Sequence, residues 1–137
     1  MANILVIGDL IIDKTVNVEI LGVCQENSRA LKMSPLGKPK ITQGGVGNVI
    51  AGLQNLGHNV DVCCQKENVT SVKTRFMSEH GLCFRLDDDK IVSMDRETCC
   101  GVIAGVTELL NKTKFDAIVI VDYAKGLVSS LQRFANE

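Results

Sequence analysis

A strong charge of either sign is missing from this 137-residue sequence. Its net charge of −1 leaves no electrostatic footprint for nucleic acid or for an anionic membrane surface, and no such partner is expected. Long apolar runs are missing too: the longest, Ile4 to Ile12, is broken by Asp9 and is far too short to span a bilayer. The opening MANILVIGD has no basic segment and no small-residue cleavage site, so no signal peptide is read and a cytoplasmic location is expected. The six cysteines, at 24, 63, 64, 83, 99 and 100, form two adjacent pairs with no Cys-x-x-Cys, and only two histidines accompany them. Adjacent thiols do not readily ligate one metal, so reduced, buried cysteines are expected, with neither disulfides nor a metal site. In that compartment the sequons at Asn68 and Asn111 carry no weight.

Several nucleotide and catalytic signatures are also absent. There is no Gly-x-x-x-x-Gly-Lys-Ser/Thr loop. The dinucleotide fingerprint fails because Gly45-x-Gly47 is followed by Ile50 where a third glycine belongs, far from the first strand. No nucleophile elbow serves a Ser/His/Asp arrangement, and His58 and His80 sit beside glycines as solvated turn residues. LDDDK (86–90) lacks the alternating oxygen ligands and the glycine of a calcium loop, and reads as a charged hairpin exit.

What remains is an α/β pattern. NILVIGD (3–9) is a continuous apolar run, as in a strand buried on both faces, and FDAIVIVDY (115–123) is a second fully buried one. Residues 14–43 are polar, hold both prolines and alternate in short stretches, which predicts an extended ribbon of two to four strands. NVIAGLQNL (48–56) predicts a helix closed by Gly57, followed by a strand in NVDVCC (59–64). TSVKTRFMS and LCFRLD flank His80-Gly81 as a hairpin. Asp95 is placed to cap a helix whose apolar positions 99, 102, 103, 106, 109 and 110 follow the 3.6-residue period, and LVSSLQRFANE begins a last helix. The 137 residues thus read as one domain around a largely parallel sheet, with ligands expected at the strands' carboxyl ends. Asp9 and Asp122 occupy two such ends, where a solvated carboxylate could accept hydrogen bonds from a polyhydroxylated ligand or merely cap a turn.

Taken in order, ILVIGDLIIDK, the polar excursion, GGVGN opening a helix, VKTRF…FRLD and VDYAKG resemble the N-terminal half of the PfkB, or ribokinase-like, carbohydrate kinases, and most closely their heptose-7-phosphate kinase branch. The resemblance implies a ribokinase-like fold in which 14–43 is a β-lid that covers the substrate and often forms the dimer contact. It implies that Gly44, Gly45 and Asn48 bind the sugar, with Asp9 and Asp13 gripping its hydroxyls from the end of the first strand and Asp122 also among the substrate-binding residues. Lys125 would reach a substrate phosphate as a point charge, and Arg75 and Arg85 would lie on the hinge side.

ATP and magnesium are implied for the family as a whole. The family's Gly-Ala-Gly-Asp motif, which carries the catalytic aspartate, is not found in these residues, nor is the nucleotide-binding half around it, so no catalytic residue and no bound cofactor are assigned to this chain. After the strand matching NVDVCC the family has a Gly-x-Asp-x-x-Gly turn, a helix and a strand, where here only QKEN separates Cys64 from Val69. Three readings follow: a sugar or sugar-phosphate binding half of a kinase, active only with its other half; a non-catalytic module that self-associates or pairs with a full-length kinase; or a truncated reading frame. A homo-oligomer, joined through the lid or a bared sheet, is expected.

Overall fold

A computed structural model describes residues 1–65 and 69–135. The sequon at Asn68 lies outside the described residues. Among the described residues, eight strands and three helices run in the order β1 (Asn3–Gly8), β2 (Leu10–Val23), β3 (Leu31–Pro35), β4 (Lys40–Gly45), α1 (Val46–Asn55), β5 (Asn59–Cys63), β6 (Ser71–Ser78), β7 (Gly81–Asp88), α2 (Arg96–Lys112), β8 (Ala117–Val121) and α3 (Leu127–Ala135).

The expected α/β body is present. A three-stranded parallel sheet has the order β5-β1-β8, with Leu5 facing Asp61 on one side and Ile118 on the other. Its central strand is covered on both faces, as its unbroken apolar run requires. Ile4 and Val6 pack with Leu10 and Val46 under α1, while Ile7, on the opposite face, joins Met94, Cys99 and Leu127 beneath α2 and α3. The Asp95 carboxylate accepts the Thr98 N–H at 2.8 Å and so caps α2. Two hydrogen bonds to that amide and its residue hold the Asp95 carboxyl below its ordinary range.

The expectation of full burial fails for β8. Ile118 and Ile120 are 51% and 65% exposed, because among the described residues β1 is the only strand paired with β8 and Ile120 merely borders the groove lined by α2 and α3. The α2 stripe narrows for the same reason: Cys99, Val102, Val106 and Leu109 turn inward, whereas Ile103 and Leu110 stay exposed. The cysteines are not uniformly buried either. Only Cys99 is; Cys24, Cys63, Cys64 and Cys83 are half-buried and Cys100 is exposed. Burial pushes the Cys63 and Cys64 thiols up, with the adjacent Cys64 adding to the effect on Cys63.

The excursion is larger than the 14–43 ribbon. β2 runs on for 14 residues rich in β-branched side chains, and the chain returns antiparallel to it as β3 and then β4. Pro35 ends β3 and Pro39 precedes β4, so the two prolines break what would otherwise be one return strand. On the other edge of β2 lies β6, in parallel, and beyond it β7, giving a second sheet of five strands that joins residues 10–45 to 71–88. The hairpin at His80-Gly81 forms as expected, with Gly81 at φ +108°.

Gly126 is the tightest point between the two regions. Its φ is +107°, and a Cβ there would lie 1.9 Å from the Val92 carbonyl oxygen. Gly126→Ala is therefore expected to cost about 3 kcal/mol or more in urea unfolding. Gly105→Ala, in an open stretch of α2 with nothing within 4 Å, should instead raise stability by about 0.5–1 kcal/mol.

Candidate functional site

The two sheets meet at the carboxyl ends of β1 and β8, and the sequence-selected residues gather around that junction. Asp9 sits between β1 and β2 and is fully buried, so it is not the solvated rim carboxylate that its strand-end position suggests. Its Oδ2 accepts the N–H groups of Tyr123 at 2.9 Å and Lys125 at 3.0 Å. Its Oδ1 accepts Leu127 N–H at 3.2 Å and Gln65 Nε2 at 2.5 Å. The Asp9 backbone is engaged as well, donating to Val121 O at 3.0 Å and accepting from Val46 N at 2.9 Å. Four donors satisfy the carboxylate, which is the condition for keeping it charged out of water.

Gln65 was not singled out by the sequence. Its Oε1 accepts Leu10 N–H at 2.9 Å while its amide holds Asp9, so it ties the end of β5 to the start of the second sheet. The available signal was a polar residue just past the carboxyl end of a parallel strand, the position that had drawn attention to Asp9 and Asp122.

Asp122 is exposed, and its Oδ1 accepts Ala124 N–H at 2.8 Å, which is the turn-capping alternative. Ala124 holds a left-handed φ of 56°, a conformation that costs a non-glycine residue about 1 kcal/mol or more. With Gly126 also at positive φ, the amides of residues 123, 125 and 127 converge on Asp9.

Asp13 lies on β2 with Thr42 of β4 and Lys73 of β6 beside it in register. Its Oδ1 takes Arg75 Nη1 at 2.6 Å. A Cβ on Gly44 would fall 2.1 Å from Asp13 Oδ2, so the carboxylate rests directly on bare backbone. Gly45 is required for a different reason: its φ is +57°, and a Cβ would meet the Asp9 carbonyl oxygen at 2.4 Å. Asn48 is exposed in the first turn of α1. The helix begins at Val46, two residues earlier than expected, with no side-chain cap on Gly45.

Arg85 pairs with Asp87 through two bonds of 2.7 Å on β7, opposite Arg75. The Asp87 hydrogen bond raises the Arg85 pKa, with Asp13 and Asp89 adding to it, while the same bond lowers that of Asp87. Lys125 Nζ reaches Asp89 at 2.6 Å. The structure thus brings Asp13, Gly44, Arg75 and Arg85 together on the second sheet, with Asp9 and Lys125 across the junction. His80 is exposed as expected; His58 is half-buried, its Nδ1 accepting from Ala2 N at 3.3 Å. Among the described residues no three His, Cys, Asp or Glu side chains cluster so as to hold a metal ion, and no helix is long and apolar enough to cross a membrane.

Asp9→Asn replaces an acceptor of four donors by a group that presents a donor of its own. It should lower stability by about 3 kcal/mol in urea unfolding, well beyond the effect of Asp122→Asn at the exposed turn.

No protein-family model matches the chain. Two bifunctional HldE proteins are similar to it, from Campylobacter curvus, 27% identical over 156 positions, and from Aliarcobacter butzleri, 27% identical over 157, each alignment spanning 93% of this chain. The chain spans about a third of their length, 32% in each case, toward their N-terminal ends. These alignments are longer than the chain's own 137 residues, so the relatives carry positions inside the matched region that this chain lacks. Among solved structures, a carbohydrate kinase from Agrobacterium tumefaciens matches with TM-score 0.42 and 16% identity, over 88% of this chain and 45% of that one. Escherichia coli phosphofructokinase-2 in complex with fructose-6-phosphate matches with TM-score 0.45 and 13% identity, over 97% of this chain and 52% of that one. The relationship that the motifs carry to the heptose-kinase branch of the PfkB carbohydrate kinases is thus met in similarity, along nearly the whole chain, to the N-terminal third of the HldE proteins.

Proposed function

We propose that this chain is the sugar-binding half of a PfkB-type carbohydrate kinase, with a heptose phosphate or related sugar phosphate as its ligand. The observation that carries this reading is the placement of the Asp13 carboxylate on the bare backbone of Gly44, oriented by Arg75 at 2.6 Å. A carboxylate held by one cation keeps free lone pairs for sugar hydroxyls, and the glycine beneath it lets it lie against backbone that a Cβ would otherwise cover. Asn48 would add an amide able both to donate and to accept. Lys125 supplies a cation for an anionic group on the far side. Asp9 acts beneath the pocket, holding the 123–127 backbone, and Asp122 shapes the same turn.

The Gly-Ala-Gly-Asp motif that carries the family's catalytic aspartate is not found in the 137 residues, and ATP with magnesium is implied by the family alone. This segment alone binds and orients. Phosphoryl transfer requires the general base and nucleotide site to be supplied together with it.

Binding tests the reading. Sedoheptulose 7-phosphate at millimolar concentration should raise the melting temperature by mass action. Asn48→Ala and Lys125→Ala should each reduce that rise, and the isolated 137-residue chain should release no ADP from ATP above a no-protein control. A melting temperature unmoved by the ligand would remove the sugar-binding reading.

A second reading, a self-associating module, is favoured by exposed apolar side chains on both sheets: Phe84 and Leu86 on β7, Ile118 and Ile120 on β8. Soluble monomers avoid such open apolar strands. Sedimentation velocity at tens of micromolar should give a dimer or larger species, and Ile120→Lys or Phe84→Lys should shift it toward monomer. A single well-behaved monomer peak from the unmodified chain contradicts self-association.

A further inference from the structure

Among the described residues, Lys125 is the cation that the proposed site presents from the α/β body, and its amide, carbonyl and ammonium are all engaged. Its N–H goes to Asp9 Oδ2 at 3.0 Å, its carbonyl accepts Val92 N–H at 2.8 Å, and its ammonium meets Asp89 Oδ1 at 2.6 Å. The side chain is only 14% exposed, whereas that of Asp89 is 47% exposed. The two partners differ in how firmly they are placed. Lys125 belongs to the loop clamped by Asp9, while Asp89 is the first residue after β7, where the second sheet hands over to the body. Next to it, Lys90 is pinned through its backbone to Ser71, donating to Ser71 Oγ at 2.9 Å and accepting from that hydroxyl at 3.1 Å. The Asp89 carboxylate can therefore leave the ammonium by a side-chain rotation, without moving either loop.

A carboxylate oxygen at 2.6 Å from an ammonium occupies the place that a phosphate oxygen would take. We propose, on the basis of the sugar-site reading above, that Asp89 is a specificity residue: it stands in for the ligand's anionic group at Lys125, and a phosphorylated sugar must displace it while a neutral sugar leaves it in place. The acidic run Asp87-Asp88-Asp89 thereby acquires a division of labour. Asp87 holds Arg85 within β7, and Asp89 guards the cation across the junction. Discrimination arises because a phosphate both competes with the Asp89 carboxylate for the ammonium and is repelled by it after displacement, and a hydroxyl does neither.

Isothermal titration of the wild-type chain, Asp89→Asn, Lys125→Gln and the double variant, each with sedoheptulose 7-phosphate, sedoheptulose and inorganic phosphate, tests this. Asp89→Asn should bind sedoheptulose 7-phosphate roughly three- to tenfold more tightly than wild type, from the modest strength of a partly exposed ion pair and the lost repulsion. Sedoheptulose affinity should not change, and the gain should vanish in the double variant. Unchanged or weaker binding of both phosphate ligands by Asp89→Asn, or a gain that persists without the Lys125 ammonium, overturns the proposal. Inorganic phosphate separates it from the reading it rests on. If no protein binds either sugar, but Asp89→Asn still gains inorganic phosphate through Lys125, the specificity role of Asp89 stands and the sugar site falls. Asp89→Ser replaces Asp89→Asn if the latter fails to fold, with the same outcomes deciding.

Discussion

The junction between the two sheets depends on one buried carboxylate. Asp9 takes three backbone amides from a turn more than a hundred residues away and a fourth donor from Gln65. That arrangement is available only because Ala124 and Gly126 both adopt positive φ, which points alternate amides the same way. The requirement runs in both directions. Without the carboxylate, the three amides of the 123–127 turn would lose their common acceptor; without the left-handed residues, the buried carboxylate would have too few donors. Gln65 closes the arrangement by linking the same carboxylate to the first amide of β2.

This clamp explains why the site is rigid underneath and adjustable on top. Asp9 fixes where β1 ends, where β2 and α1 begin, and where the 123–127 turn lies, using side-chain and backbone groups together. The charged groups above it are held differently. Asp13 with Arg75, Arg85 with Asp87, and Lys125 with Asp89 are partly exposed pairs, each worth little to stability. Pairs of that kind keep side chains in place in the absence of ligand and yield when a better-matched group arrives. In the proposed site, preorganisation would therefore reside in the backbone and recognition in pairs that are easily exchanged.

Much of the body was legible because its signals are local. An unbroken apolar run gave β1 its two-sided burial, Gly57 closed α1, and Asp95 capped α2 with its side chain on Thr98. The features that were not legible are decided by distant partners. A carboxylate at a strand end looks the same in sequence whether water or three amides surround it, so the burial of Asp9 could not be read. Apolar periodicity shows that AIVIV can be buried, not that a neighbour covers it, and Ile118 and Ile120 remain exposed. The second sheet depends on β6 aligning in parallel with β2, Asp13 beside Lys73, a pairing across some sixty residues that no local pattern encodes. The prolines mark an excursion in the sequence, but their role in splitting its return strand depends on β2 running past both.

The glycine-rich stretch at 44–47 combines architecture and site, and the two can be told apart by what each missing Cβ would strike. At Gly45 the obstacle is the Asp9 carbonyl, fixed in the backbone, and φ is positive besides; at Gly47 it is the Cβ of Gln43 on β4. Neither contact involves a group that could rearrange for a ligand, so these two glycines are required by the fold whatever the chain binds. At Gly44 the obstacle is the tip of the Asp13 side chain, a movable carboxylate already oriented by Arg75. A side chain there would not obstruct the fold so much as push Asp13 off its cation. Of the three, Gly44 is thus the glycine whose missing side chain serves the placement of Asp13 and not the course of the backbone, between a buried clamp and a partly exposed ion pair.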